Sequence, residues 1–448
     1  MSSLEQVNPN TVDLLKEQVS IIIAEAKKQG ATDCEVSASA EQGISVSVRQ
    51  KAVDTLEFNY DQGFGITVYL GQRKGSASTS VYGLDAIKET VAAALAIAKY
   101  TSEDKHAGLP DASLMAKEII PLDLYHSWDI TPEEAIEQAL VCEQAAFDVD
   151  KRITNTDGTS LNTHKGCRVY GNSRDFLGGY ASTRHSFSCT MIAEQNNQKQ
   201  RDYWYDINCR HDLLMSAISL GEKSAVRTLR RLNSKSILTG KAPVLFSAEI
   251  ASSLFGHFFR AISGSSIYKK TSFLQDTLGK KVFPEWLSLN EQPHLLQKLG
   301  SSWFDADGLP TYKKNFVEQG ILSSYALSTY SGRQLGLKST ANAGGIHNIF
   351  VTPGIDNLQA LIKKMHRGLL VTELMGQGVN LITGDYSRGA SGFWIENGEI
   401  QHPVEEITIA GNLRDMFQKI VAIGSDLEQR GAIFTGSVLI EDMMIASS

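Results

Sequence analysis

Apolar residues recur at three- and four-residue intervals over 12–29, where Leu15, Val19, Ile22, Ile23 and Ala26 share one face. That spacing predicts an amphipathic helix with Gly30 as its stop. The period then falls to two. Ile44, Val46 and Val48 alternate with Ser45, Ser47 and Arg49, so short strands are expected over 34–40 and 44–49, with Glu41-Gln42-Gly43 as the turn between them. Further strands are predicted over 55–60, 65–70 and 74–80, an antiparallel meander. An alanine-rich helix over 84–100 covers one face of it.

A weakly periodic link follows over 102–130, with Pro110 and Pro121. Thr131-Pro132-Glu133-Glu134 then supplies a capping hydroxyl, a proline at the first helical position and a glutamate three residues after the cap. The helix is expected to reach about residue 148. Strands are predicted over 153–157, 159–164, 167–172, 177–194 and 200–208, and a helix over 212–231. Strands followed by a covering helix thus occur twice. The order is not alternating βαβ, so a doubly wound nucleotide fold is not expected. The predicted class is α+β: an N-terminal region, 1–235, in two sub-blocks (about 1–101 and 131–235), then a β-rich C-terminal domain, 236–448. The boundary falls near 233–241. Beyond it short strands are predicted over 243–247, 321–329, 369–374, 379–383, 392–396, 399–403 and 405–410. Helices are predicted over 249–262, 357–366 and 412–422. Many short strands joined by glycine turns suggest a twisted sheet or partly closed barrel. Asn397-Gly398 is a two-residue hairpin signal.

Composition narrows the function classes. A net charge of −7 over 448 residues argues against nucleic acid as a partner, which would need clustered Lys and Arg. The basic runs 227–231 and 363–367 are short and read as solvated helix faces. No apolar stretch approaches the ~20 residues of a membrane helix, and the polar N-terminus lacks a signal-peptide pattern, so a cytoplasmic protein is expected. The five cysteines show no C-x-x-C spacing and read as reduced thiols. None follows Cys209, so the C-terminal half has no thiolate for a metal.

Few motifs carry chemistry. No GxGxxG follows a strand and no HExxH occurs. Gly389-Ala390-Ser391-Gly392 misses the nucleophile-elbow spacing by one residue, so Ser391 reads as part of a tight turn. His347 lies in a glycine-rich bend with Gly344 and Gly345, whose backbone amides could meet a ligand or a partner chain. Glu373, Asp385 and Glu396, taken with His257 and His347, have the donor types of an oxygen-rich metal site.

Several long stretches resemble one family. They include 65–78 (GITVYLGQRKGSAS), 150–166 (DKRITNTDGTSLNTHKG), 254–259 (LFGHFF), 336–348 (GLKSTANAGGIHN) and 371–379 (VTELMGQGV). Residues 382–404 (ITGDYSRGASGFWIENGEIQHPV) and 406–417 (EITIAGNLRDMF) continue the likeness. The chain is similar to the TldD/PmbA metalloprotease family over nearly its whole length, nearest the PmbA branch, also called TldE. The resemblance implies an N-terminal α/β region and a β-rich C-terminal domain. It implies proteolysis of unfolded peptides, including leader removal, by paired TldD-type and PmbA-type chains. Older descriptions of the family add modulation of DNA gyrase. In catalytic members an H-E-x-x-x-H motif supplies two zinc-binding His and a Glu that activates water. Placing Gly256-His257 on that motif puts Ser252 at the first His and Ser253 at the Glu. A catalytic zinc needs three protein ligands, an open position and a nearby base. This chain keeps only His257. No cofactor is therefore expected here, and zinc is expected in a TldD-like partner. Gly344, Gly345, His347, Glu373, Gly389 and Ser391 are the candidates for substrate channel or interface, and a homodimer is an alternative assembly when that partner is absent. Two other readings stand beside this one: an independent hydrolase built on His257, His347 and Glu373, and a gyrase-linked binding module without proteolysis.

Overall fold

Residues 6–447 are described by the structure, a computed structural model. Helix α1 (Thr11–Lys28) buries Leu15, Val19, Ile22 and Ala26, the face that the spacing selects. Strands β1 (Asp33–Arg49), β2 (Ala52–Leu70) and β3 (Arg73–Thr79) follow, then α2 (Leu84–Tyr100). Helix α3 (Pro132–Asp148) begins with a complete capping box between Thr131 and Glu134. Strands β4 (Ile153–Asn172), β5 (Phe176–Gln195) and β6 (Gln198–Asn208) and helix α4 (Ala217–Arg230) complete the N-terminal half.

The strands are fewer and longer than the periodicity suggests. Glu41-Gln42-Gly43 is not a turn. Glu41 pairs with Asp61 on one side and Gly166 on the other, and β1 runs straight through. Likewise 55–60 and 65–70 are one strand, as are the three pieces over 153–172. All six strands form one antiparallel sheet in the order β3-β2-β1-β4-β5-β6. The two sub-blocks therefore share a sheet, joined where β1 pairs with β4. Helices α1 and α2 cover its first half and α3 and α4 its second, each over a separate apolar cluster.

In the C-terminal half, β7 (Gly240–Phe246) leads into α5 (Ala248–Ala261) and the short α6 (Gly264–Tyr268). A small sheet then uses β8 (Leu289–Glu291), β9 (Lys314–Glu318) and β10 (Ile321–Leu322); α7 (Thr329–Leu335) and β11 (Ile349–Val351) follow. The strand expected over 321–329 thus stops at Leu322, and its end caps a helix through Ser328. Helix α8 (Leu358–Met365) precedes β12 (Gly368–Met375), β13 (Asp385–Glu396) and β14 (Glu399–Asn412). Asn397 and Gly398 make the expected hairpin, both with positive φ. Residues 379–383 form a turn with one bridge, Val379 to Tyr386, and no strand. The helix expected over 412–422 is a single turn and a half, α9 (Leu413–Gln418), followed by β15 (Ile420–Ile423). The chain ends in β16 (Ile433–Phe434) and β17 (Val438–Ser447).

Strands β14, β13, β12, β7 and β17 pair in that order, and β14 also pairs with β17, so five strands close a barrel; β15 adds to β17 outside the ring. Its residues alternate as a two-residue period requires. Val244, Phe246, Leu369 and Val371 join the cluster that holds α5, whereas Leu245 and Leu370 face α8. Among the described residues no helix is long and apolar enough to cross a membrane.

Candidate functional site

Helix α5 presents two faces. Ala251, Leu254, Phe255 and Phe258 are fully buried, and Phe258 meets Phe283 and Phe417 at ring-centroid distances of 5.1 and 6.0 Å. The opposite face carries Glu249, Ser252 and Ser253. These three line a cavity of about 290 Å³. The helix passes through Gly256 without a break, so Ser252 and His257, five residues apart, differ by roughly 140° in direction. The distortion that would turn both inward is absent, and His257 is not part of the cavity wall.

The other walls come from both halves of the chain. Strand β6, the outermost of the N-terminal sheet, contributes Asp202, Tyr203, Trp204 and Tyr205, and α4 contributes Arg227. The barrel contributes Thr372, Glu373 and Leu374 from β12 and Arg388 from β13, while Arg430 enters from the loop before β16. The wall is dense in charge. Arg227 bonds Glu249 at 2.8 Å and approaches Asp202 at 3.5 Å. Arg231 bonds Glu373 at 2.5 Å. Arg430 pairs with Glu428 and lies over the rings of Trp204 and Tyr205 at 4.2 Å each. Lys223 lies 3.6 Å over Trp204. Burial pushes the Asp202 carboxyl above its ordinary range, against the pull of Arg227.

The run 227–231 is therefore not a solvated face at its two ends. The side chains of Arg227 and Arg231 are only 17% and 12% exposed, and both are committed to carboxylates.

His257 is also set by charge. Its ring packs edge-on to Tyr386 at 6.1 Å, and its Nε2 is buried without a partner. Burial, then Arg388 and Arg260, hold its pKa down to about 4. A zinc centre does not fit these residues. Two of the three motif positions offer hydroxyls, and the Ser253 hydroxyl is already donated to the Ile250 carbonyl at 2.7 Å. The remaining imidazole lies in the positive field of Arg388 and Arg260, which opposes a dication. Among the described residues no group of three His, Cys, Asp or Glu is arranged to hold a metal. The hydrolase site envisaged from His257, His347 and Glu373, with Asp385 and Glu396, is thus not assembled.

The remaining candidates fall into two places. Glu373 lies opposite Ser391, and Met375 opposite Gly389, across β12 and β13 beside the cavity. Ser391 is a buried strand residue, not a turn. Gly344 and Gly345 form an exposed tip elsewhere, with φ of +89° and +131°. The amides around that tip face inward. Ala343 N–H donates to Asp305 and His347 N–H to Glu291, at 3.0 and 2.6 Å. The His347 Nδ1 lies 3.2 Å from the Gly300 carbonyl. Glu291 is fully buried and also takes Lys314 at 2.5 Å and Asn342 at 2.9 Å. This is a structural knot.

Sequence reasoning missed Arg388, Arg430 and the Trp204 wall. Arg388 falls between the strands expected over 379–383 and 392–396, and no short spacing links it to α4 or β6.

Three family models match the chain: the PmbA/TldA metallopeptidase domain 1 over 34–98, central domain over 125–232 and C-terminal domain over 239–447. The metalloprotease PmbA of Escherichia coli O157:H7 is 51% identical over 435 residues, covering 97% of this chain and 96% of that protein. A PmbA homologue from Haemophilus influenzae is 49% identical with the same coverage. Among solved structures, a candidate modulator of DNA gyrase from Bacteroides thetaiotaomicron superposes with a TM-score of 0.92 at 27% identity, covering 97% of this chain and 99% of that one. TldE from Thermococcus kodakarensis gives 0.84 at 20% identity over 96% and 99%, a likeness of fold.

Proposed function

The chain belongs to the PmbA/TldD metallopeptidase family, and from that premise we propose that it is the non-catalytic subunit of a two-chain zinc peptidase that acts on unfolded peptides. The TldD-like partner supplies the zinc. This chain shapes the channel and holds the substrate, in the cytoplasm. One observation carries the reading. The positions matching the family's metal motif are Ser252 and Ser253, and the cavity they line is walled by paired arginines and carboxylates. A hydroxyl is a weak neutral ligand, and Ser253 has no basicity to activate water. An extended peptide fits a sheet edge, where backbone hydrogen bonds bind it without reading much sequence. Strand β6 offers such an edge beside the cavity.

The test mixes this chain with a TldD-like subunit and follows cleavage of a flexible peptide. Cleavage by the mixture, well above that of either chain alone, is expected. A purified single chain that keeps one zinc per polypeptide and digests the peptide would sink the proposal. The description of the Bacteroides relative as a gyrase modulator favours a second reading, binding without proteolysis. Capture of gyrase by this chain, with no TldD-like chain present and no cleavage by the mixture, would select it.

A further inference from the structure

Among the described cations that line the cavity beside α5, one is in no ion pair. Each wall carboxylate is engaged: Asp202 and Glu249 by Arg227, Glu373 by Arg231. Arg430 is engaged by Glu428. Arg388 forms no ion pair with any described residue, and its Nε is buried and unpartnered. The Tyr386 hydroxyl lies against the Arg388 guanidinium; nearby, the His257 Nε2 is buried without a hydrogen bond, and Ser252 on the cavity wall donates to no described residue. An arginine presents a planar fork of donors that matches a carboxylate, and a desolvated guanidinium left unpaired is costly. Trp204, Tyr203 and Leu374 supply apolar wall around it, and a cavity of about 290 Å³ holds one side chain or chain end and excludes a folded domain.

The geometry points to a carboxylate-binding subsite centred on Arg388, with Ser252 as a second donor, that anchors an extended peptide through an acidic side chain or its terminal carboxylate. This deepens the substrate-holding role proposed above and rests on it for its purpose, but not for its detection. It predicts a preference that backbone recognition at a sheet edge does not supply.

The test uses the full chain alone and three blocked tripeptides, titrated by calorimetry or saturation-transfer NMR. Ac-Gly-Glu-Gly-NH2 carries only a side-chain carboxylate, Ac-Gly-Gly-Gly-OH only a terminal one, and Ac-Gly-Gln-Gly-NH2 neither. At least one charged peptide is expected to bind roughly tenfold more tightly than the neutral one, from a charge-assisted bidentate contact, and which one binds identifies the source. Arg388→Gln should erase the preference and Arg388→Lys should keep part of it. If Arg388→Gln does not fold, Ser252→Asp decides: a resident carboxylate in the same cavity should abolish the preference. Equal binding of neutral and charged peptides, or a preference that survives Arg388→Gln or Ser252→Asp, overturns the subsite. Because no partner chain is present, a carboxylate preference without cleavage by the mixture would refute the subunit reading and leave the subsite standing.

Discussion

His257 offers a direct measure of how burial and charge act on the motif histidine. Its ring makes no hydrogen bond to a described residue, lies edge-on to Tyr386 and is neutral in the folded state, with a pKa of about 4 against an ordinary 6.5. A depressed histidine binds its proton more readily unfolded than folded. Its contribution is therefore complete above pH 6.5 and falls as the pH drops toward 4. At pH 5 the unfolded chain carries the proton and the folded one largely does not. At about 1.4 kcal/mol per decade, the loss from this residue would be about 2 kcal/mol. Partial exposure of the ring lets solvent screen some of it, leaving roughly 1 kcal/mol. His257→Phe keeps the ring, removes no hydrogen bond and cannot titrate. Its stability at pH 7 should lie within about 1 kcal/mol of the parent. Between pH 7 and 5 it should lose roughly 1 kcal/mol less, read as a smaller fall in the urea midpoint. His185, His294 and His347, whose pKa values burial also lowers, are common to both chains and cancel in the comparison. Equal losses for the two proteins would refute the assignment of His257 as a neutral packing residue beside a guanidinium.

Three further outcomes follow from the same packing. Phe258→Ala removes a fully buried ring between Phe259, Phe283 and Phe417 and should cost about 3–5 kcal/mol; a thermal midpoint near that of the parent would show that α5 is not held by this cluster. The double variant Ser252→His, Ser253→Glu restores the motif's residue types but supplies no third protein ligand and leaves Arg388 in place, so zinc measured after dialysis should stay well below one per chain. Gly344→Val places a branched side chain at φ +89°, 3.2 Å from the Ala306 methyl, and should cost about 1–2 kcal/mol; unchanged stability together with unchanged cleavage by the mixed pair would discard this tip as channel or interface.

Local signals were legible where local forces decide. The Thr131–Glu134 box opens α3 as written, and α1 and α2 follow their three- and four-residue spacing. Turn chemistry failed where both strand edges were taken. Glu41–Gly43 has a loop composition, but pairing on two sides overrides it. Strand β17 was missed for a different reason. Its run is apolar on both sides of Glu441-Asp442, where the register shifts between Ile440 and Met443. A bulge breaks the two-residue period that marks a strand. That strand closes the barrel, so without it only a partly closed form could be read. The site shows the same division. The motif positions Ser252, Ser253 and His257 lie within one short segment. The arginines around them come from α4, β13 and the loop before β16, and only tertiary structure brings them together.

That arrangement shows that the seat of α5 does not depend on a bound metal. In a small metal-nucleated domain, loss of ligands is loss of the fold. Here α5 is seated by Leu254, Phe255 and Phe258 against barrel residues such as Phe246 and Val371, all fully buried. The ligand face is the other side of the same helix, so changing it leaves the seat intact. Charge still has to balance around the cavity. Asp202, Glu249 and Glu373 require cations nearby, and Arg227 and Arg231 supply them as fixed, directional donors. Arg388 balances the third of these charges without being in direct contact with any of them. A cation that the resident carboxylates do not contact is poised for an anion that arrives with the peptide, and the same guanidinium adds to the burial that holds His257 neutral. Arg388 thus serves the carboxylate subsite and adds to the burial that keeps His257 neutral, which is why Arg388→Gln should weaken carboxylate binding and raise the His257 pKa together.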